Sequence, residues 1–149
     1  MKKKDLYPPG LDISRLEGYF IISIICAILF SFLFISECNE VEKAMKMSYD
    51  FDYFVLKDFK TMVFPYMWGF VLIVIFSIFL IPNFYGYFSK GSMSVYTMKR
   101  LKNPMEIHRR ALFYPVMFIL ITSAIGLLAL KGYHNIYLDL AEKIARMGG

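Results

Sequence analysis

Three long stretches of this chain contain no ionisable side chain. Gly18 to Ser36, Thr61 to Ser89 and Ala111 to Leu130 hold no Asp, Glu, Lys, Arg or His. Buried ionisable groups mark proton relays and ion pathways, so their absence argues against a self-contained pump, secondary transporter or channel. It argues equally against a metalloenzyme of the membrane interior. Cysteine is scarce: Cys26 and Cys38 are the only two. Cys26 lies inside the first stretch and reads as a small packing residue. Cys38 sits just past its end. A bridge between them would join points about three helical turns apart, which disulfide geometry forbids in a continuous helix. The two histidines, His108 and His134, fall on opposite predicted sides and cannot share a metal. No His, Cys and carboxylate cluster has ligand spacing, so no metal and no cofactor is expected. A glycine-rich phosphate loop, a nucleophile elbow and a kinase motif set are also absent.

What is there is apolar bulk: 58% of the 149 residues are hydrophobic and 18% aromatic. A helix needs roughly 20 apolar residues to cross the hydrocarbon core, and each stretch is long enough. Backbone groups in lipid must be satisfied internally, which makes the stretches helices. The expected fold is all-α integral membrane, with three transmembrane helices and additional interfacial amphipathic helices. One membrane domain, 1–149, accounts for the chain. Its spans are placed at about 18–36, 62–82 and 111–130, with an outer loop 37–61, an inner loop 89–110 and an outer tail 131–149. The basic start and apolar run of Met1–Phe34 resemble a leader. The run is too long for one, Pro8-Pro9-Gly10 separates it from the lysines and no A-x-A site follows, so a retained first helix is expected.

Charge orients these spans. The N-terminal segment carries Lys2, Lys3, Lys4 and Arg15, and the second loop carries Lys90, Lys99, Arg100, Lys102, Arg109 and Arg110. These ten bases stand against seven on the first loop and the tail, where six acids also crowd the first loop. The positive-inside rule then predicts a multi-pass protein of the cell membrane, N-terminus cytoplasmic and C-terminus extracellular.

Within the first span, Ser23, Ala27 and Ser31 recur at i, i+4 and i+8, a stripe of small side chains that lets helices approach closely. Packing within the chain and packing against another subunit both fit it. In the outer loop, Val41 to Met47 reads as helical. Phe51, Phe54, Val55, Phe59 and Met62 outline an amphipathic surface helix leading into span two. Pro65 falls near the start of span two, where a missing N–H costs least. A helix over all 29 uncharged residues from Thr61 would overshoot the hydrocarbon core, so a bend or end is expected near Pro82. Asn103-Pro104-Met105-Glu106 is a helix-start signal for span three, and Pro115 is a potential kink in it. The tail, with Ile136, Leu140 and Ile144 among charges, reads as a short amphipathic helix on the outer leaflet or folded onto the outer loop.

The inner loop, SKGSMSVYTMKRLKNPMEIHRR, concentrates the chemistry. One reading is topological: its bases hold the loop inside and meet anionic lipid headgroups. Another is a docking site, in which Val95, Met98 and Leu101 anchor a partner while Lys99 and Arg100 pair with its charges. Nothing supports a nucleic-acid partner. The loop resembles a pattern in small three-span membrane proteins of low-GC Gram-positive bacteria that are associated with ABC-type exporters. Tyr96, Met98, Lys99, Arg100 and Leu101 match the first half of that pattern, and Glu106, Ile107, His108, Arg109 and Arg110 match the second. The resemblance covers about 15 residues. It implies an accessory, non-catalytic subunit of a bacterial membrane transport complex, in contact with other membrane subunits and a cytoplasmic ATPase subunit. Tyr96, Met98, Lys99, Arg100 and Leu101 would dock the partner, and Glu106, His108, Arg109 and Arg110 would shape the loop. Two other readings stand beside it. One is a small integral-membrane enzyme acting on lipid or isoprenoid substrates through outer-loop acids such as Asp50, Asp52 and Asp58. The other is a membrane-stress or immunity protein binding a peptide at the outer face.

Overall fold

A computed structural model describes residues 12–47, 56–89 and 105–147. It is almost entirely helical, without a strand among the described residues. Helix α1 covers Ile13–Ser31 and α2 covers Leu33–Met47. Helix α3 covers Phe59–Ser89 and α4 covers Met105–Met147. Three runs are long and apolar enough to cross a membrane: Ile13–Met47, Phe59–Gly86 and Ile107–Arg146. The chain is a multi-pass membrane protein.

Each helix starts where its sequence allows. Asp12 caps α1: its carboxylate accepts the Arg15 N–H at 3.4 Å and pairs with the guanidinium at 3.0 Å. At the start of α3, the Asp58 carbonyl accepts the N–H groups of Thr61 and Met62 at 3.0 and 3.1 Å. Between α1 and α2 only Phe32 intervenes, and its backbone is itself right-handed helical. Phe32 N–H reaches the Ile28 carbonyl at 3.1 Å, and Ile35 N–H reaches the Phe32 carbonyl at 3.0 Å. The shorter i→i−3 step tightens one turn without ending the run.

Several boundaries differ from expectation. The first run does not stop at Ser36 but continues through α2 to Met47, absorbing the helical part of the outer loop. The expected surface helix beginning at Phe51 falls mostly outside the described residues; 56–58 are not helical, and α3 begins at Phe59. Helix α3 carries both Pro65 and Pro82 inside it and continues to Ser89. A proline forfeits one backbone bond, a cost that helices in lipid tolerate when packing and side chains compensate. Pro65 is therefore an interior residue rather than a first-turn one. Asn103 and Pro104 lie outside the described residues, and α4 is already helical at Met105. The tail is not a separate helix. It is the continuation of α4, a helix of 43 residues that holds Pro115 inside it and is about 64 Å long at 1.5 Å per residue. That is about twice the hydrocarbon thickness, so α4 projects well beyond one face.

The runs alternate in direction. One core cluster joins Ile13 of α1, Leu80 and Phe84 near the end of α3, and Ala111, Tyr114 and Phe118 near the start of α4. The other joins Phe34 and Cys38 of α2, Met62 and Val63 at the start of α3, and Tyr133 and Leu140 of α4. So α1, α2 and α4 run one way and α3 runs against them, packing most extensively on α4. At the waist, Gly69 of α3 lies against Ala27 of α1: a Cβ on Gly69 would stand 3.0 Å from the Ala27 Cβ. A Cβ on Gly126 of α4 would stand in ordinary contact with the Phe70 side chain, 3.5 Å from its ring. Lipid tails are as apolar as the helices, so this close fit, and not the hydrophobic effect, holds the spans together.

Candidate functional site

The bundle has two unlike ends. One gathers the start of α1, the end of α3 and the start of α4, and it carries the second half of the inner-loop motif. His108 is exposed there, its Nδ1 2.7 Å from the Tyr85 hydroxyl, which ties the start of α4 to the end of α3. Arg109 is exposed and Arg110 half-buried, and both take part in further interactions. Glu106 lies in the first turn of α4. The docking residues Tyr96, Met98, Lys99, Arg100 and Leu101 lie outside the described residues.

Next to this end, where Ile13 of α1 is buried against α3 and α4, an aromatic bar also joins α1 to α4. The Phe20 and Phe118 rings stack with centroids 3.9 Å apart and planes at 13°. On one side of the bar a groove of about 550 Å³ opens between α1 and α3. On the other a groove of about 500 Å³ opens between α1 and α4. Phe20 and Phe118 line both. The first groove is lined otherwise by residues such as Leu16, Leu72 and Phe76, and its two serines are already engaged. Ser23 donates to the Tyr19 carbonyl and Ser77 to the Ile73 carbonyl, both at 2.8 Å. The second groove has one acidic residue in its wall, Glu17.

The opposite end is closed. Phe34 is fully buried and meets the rings of Phe59, Tyr66 and Tyr133, the last at 5.0 Å. The Ser31 and Tyr133 hydroxyls, from α1 and α4, are 2.8 Å apart in the interior. Tyr137 donates to the Lys57 carbonyl at 3.0 Å. Beyond this plug, α2 and α4 project as a charged pair. Lys143 of α4 stands 3.8 Å from Glu42 of α2 and 2.9 Å from Asp139, while Lys46 holds Glu42 at 2.6 Å. The Lys46 hydrogen bond and the nearby Lys143 charge lower the Glu42 pKa, and Asp139 and Glu42 raise that of Lys143.

The small-residue stripe divides between inside and outside. Ala27 and Ser31 face their own bundle, against Gly69 and Tyr133, whereas Ser23 is exposed at the wall of the first groove. Both cysteines are free; Cys38 is buried, but Cys26 is exposed and does not pack inside as expected. His108 and His134 are separated by 26 residues of one helix, about 39 Å. Among the described residues no group of His, Cys, Asp and Glu could hold a metal ion. Sequence reasoning missed the Phe20–Phe118 bar and the groove role of Glu17. The available signal was the spacing of Glu17, Phe20, Ile21 and Ile24, which places them on one face of α1. The face they meet on α4 is legible only in three dimensions. No protein-family model, curated protein or solved structure matches the chain.

Proposed function

We propose that the chain is a non-catalytic accessory subunit of a membrane transport complex, of the ABC-exporter kind that the inner-loop motif resembles. The waist of the bundle carries this reading. Gly69 lies directly on Ala27, Gly126 lies on Phe70, and Ser31 is spent on the Ile28 carbonyl and the Tyr133 hydroxyl. A cargo path needs polar groups facing a cavity that runs through the membrane. Helices in such close contact leave no width for one, and the two grooves lie on the outside of the bundle. The chain's contribution to transport is therefore to position or regulate other subunits. The bases Lys99 and Arg100 dock the cytoplasmic ATPase subunit, and His108, held against Tyr85, fixes the base of that loop to the bundle.

The test is purification in mild detergent with identification of the bound chains. Lys99→Glu combined with Arg100→Glu reverses two charges and is expected to remove the cytoplasmic partner while the membrane partners remain. Unchanged co-purification, with expression and topology intact, rejects the docking role.

A further inference from the structure

We propose that the outward face of α4 seats a transmembrane helix of a partner subunit, and that this helix brings a carboxylate to Lys131. The inference rests on the reading of the chain as a subunit and names what its membrane partner presents. Depth carries it. At the waist Gly69 lies against Ala27 and Gly126 against Phe70, which brings the three spans to one level. From there the first run rises ten residues to Glu37, about 15 Å, and α3 spans nine residues back to Lys60, about 14 Å. Helix α4 reaches Lys131 after only five, about 7.5 Å. Ring packing gives the same offset: Phe34, three residues before Glu37, lies on Tyr133, two residues beyond Lys131. Lys131 therefore stands more than one turn deeper than the charges that bound the other two spans at the closed end. It is exposed, and it has no ion pair or side-chain hydrogen bond among the described residues. Ionisable side chains at membrane depth are costly and pair with other groups.

What shares this face decides the occupant. Ser123, Leu127, Lys131 and Asn135 recur every fourth residue and are all exposed, so they form one row along α4. Ser123 and Asn135, like Lys131, make no side-chain hydrogen bond among the described residues. Ser23 and Ser77 spend their hydroxyls on the carbonyl four residues back, and Ser123 does not. A lipid phosphate answers only Lys131, whose stem can rise toward the surface. It leaves Ser123, on the far side of the waist and about 12 Å from Lys131 along the helix, facing acyl chains. A helix laid along the row meets all three polar side chains, and its own backbone needs nothing from lipid. A second copy of this chain has no acid at the level of Lys131 among the described residues. Glu37, the nearest, stands five residues higher in this register and is engaged by the Tyr66 hydroxyl. The carboxylate therefore comes from a different chain.

The probe is a synthetic leucine-alanine transmembrane helix with one Asp five residues from its centre and a dansyl label. Its controls carry Leu or Lys in place of that Asp. The full chain is reconstituted with each helix in phosphatidylcholine vesicles, and energy transfer from Trp68, the only tryptophan, is titrated. The Asp helix is expected to bind about tenfold more tightly than the Leu helix, and the Lys helix no more tightly than the Leu helix. Lys131→Arg should keep this preference, Lys131→Gln should abolish it and Lys131→Glu should turn it toward the Lys helix. Ser123→Leu should weaken binding of every helix about threefold. Equal binding of the Asp and Leu helices, or a preference that survives Lys131→Gln, overturns the proposal. So does a preference that vanishes when phosphatidylglycerol is added, which assigns Lys131 to lipid headgroups. In mild-detergent purification from cells, Lys131→Glu should release a membrane chain and keep the cytoplasmic partner, the reverse of the Lys99 and Arg100 reversal. Retention of every membrane chain overturns the proposal and leaves the loop's docking role standing.

Discussion

The closed and open ends of this bundle are built from similar residues, yet they are held differently. At the closed end Phe34 sits at the centre of three rings, two hydroxyls bridge α1 and α4, and the projecting helices exchange charges across α2 and α4. At the open end one stacked phenylalanine pair separates two outward grooves. Aromatic content alone does not close a membrane bundle. What closes it is a ring placed between three helices at once. Phe34 reaches α3 and α4 together, whereas the Phe20–Phe118 stack joins only α1 to α4. The three-helix ring packing is therefore at one end, and the two outward grooves are at the other.

Truncating one ring at each end is the most direct way to break this comparison. Phe34→Ala removes a side chain with no exposed surface and leaves a void among packed rings, with an expected loss of about 3 kcal/mol. Phe20→Ala removes a half-buried ring that borders two grooves, so lipid can fill the space it leaves. The expected loss is about 1 kcal/mol, the worth of the stacked pair. Denaturant titration of the detergent-solubilised protein measures both. Equal losses would mean that the two ends are held alike.

The waist sharpens the comparison, because it lies between the two ends. Gly69→Ala places a methyl group 3.0 Å from the Ala27 Cβ and 3.2 Å from its Cα, and backbone cannot yield as a flexible side chain can. The expected cost is about 1–2 kcal/mol by overpacking. Adding Ala27→Gly should restore part of it, since the two methyl groups compete for one space. A double-mutant cycle reads this coupling. Additive effects would show that the two helices do not meet there.

The sequence carried the fold class plainly, because three uncharged runs of sufficient length have one solution in lipid. It carried the helix ends poorly, and the reasons are physical. Pro82 was read as a bend or an end, and the end does not occur: a helix continues through a proline at the cost of one backbone bond when its neighbours hold it. The tail was read as a separate helix because the apolar run ends at Leu130. Lys131 ends the apolar run but not the backbone hydrogen bonding, and α4 runs on to Met147. The amphipathic pattern of the tail was nonetheless correct: Leu140 is buried against α2, which realises the alternative in which the tail folds onto the outer loop. The candidate site was half legible. His108, Arg109 and Arg110 could be singled out by their density of charge, but Glu17 appeared only as a span boundary. Its place in the wall of the groove beside α4 depends on α1 and α4 running parallel, which no local pattern encodes.

The smallest effect is expected at the charged projection, and its sign follows from the two shifted groups. The Glu42 pKa is lowered in the folded state, first by the Lys46 hydrogen bond and then by the Lys143 charge. Such a carboxylate contributes stability above its ordinary value of 4.5 and loses it as pH falls through the lower folded value. Lys143 is shifted upward, first by its hydrogen bond to Asp139, so its contribution is present below its ordinary value of 10.5 and disappears as pH rises through the higher folded one. Together they give a plateau at neutral pH with a fall on either side. Lys143 is exposed and Glu42 is half-buried at the bundle surface within reach of solvent, so the falls are shallow and salt weakens them. Thermal unfolding measured across pH in low and high salt checks this, with Glu42→Gln as the comparison. The variant should lose the part of the acid-side fall that salt suppresses and keep the alkaline fall that Asp139 sustains. It should leave the open end untouched, because the charged pair and the grooves lie at opposite ends of α4. An acid-side fall that is identical in the variant would place the pH-sensitive contact elsewhere and remove electrostatics from the account of why the closed end holds.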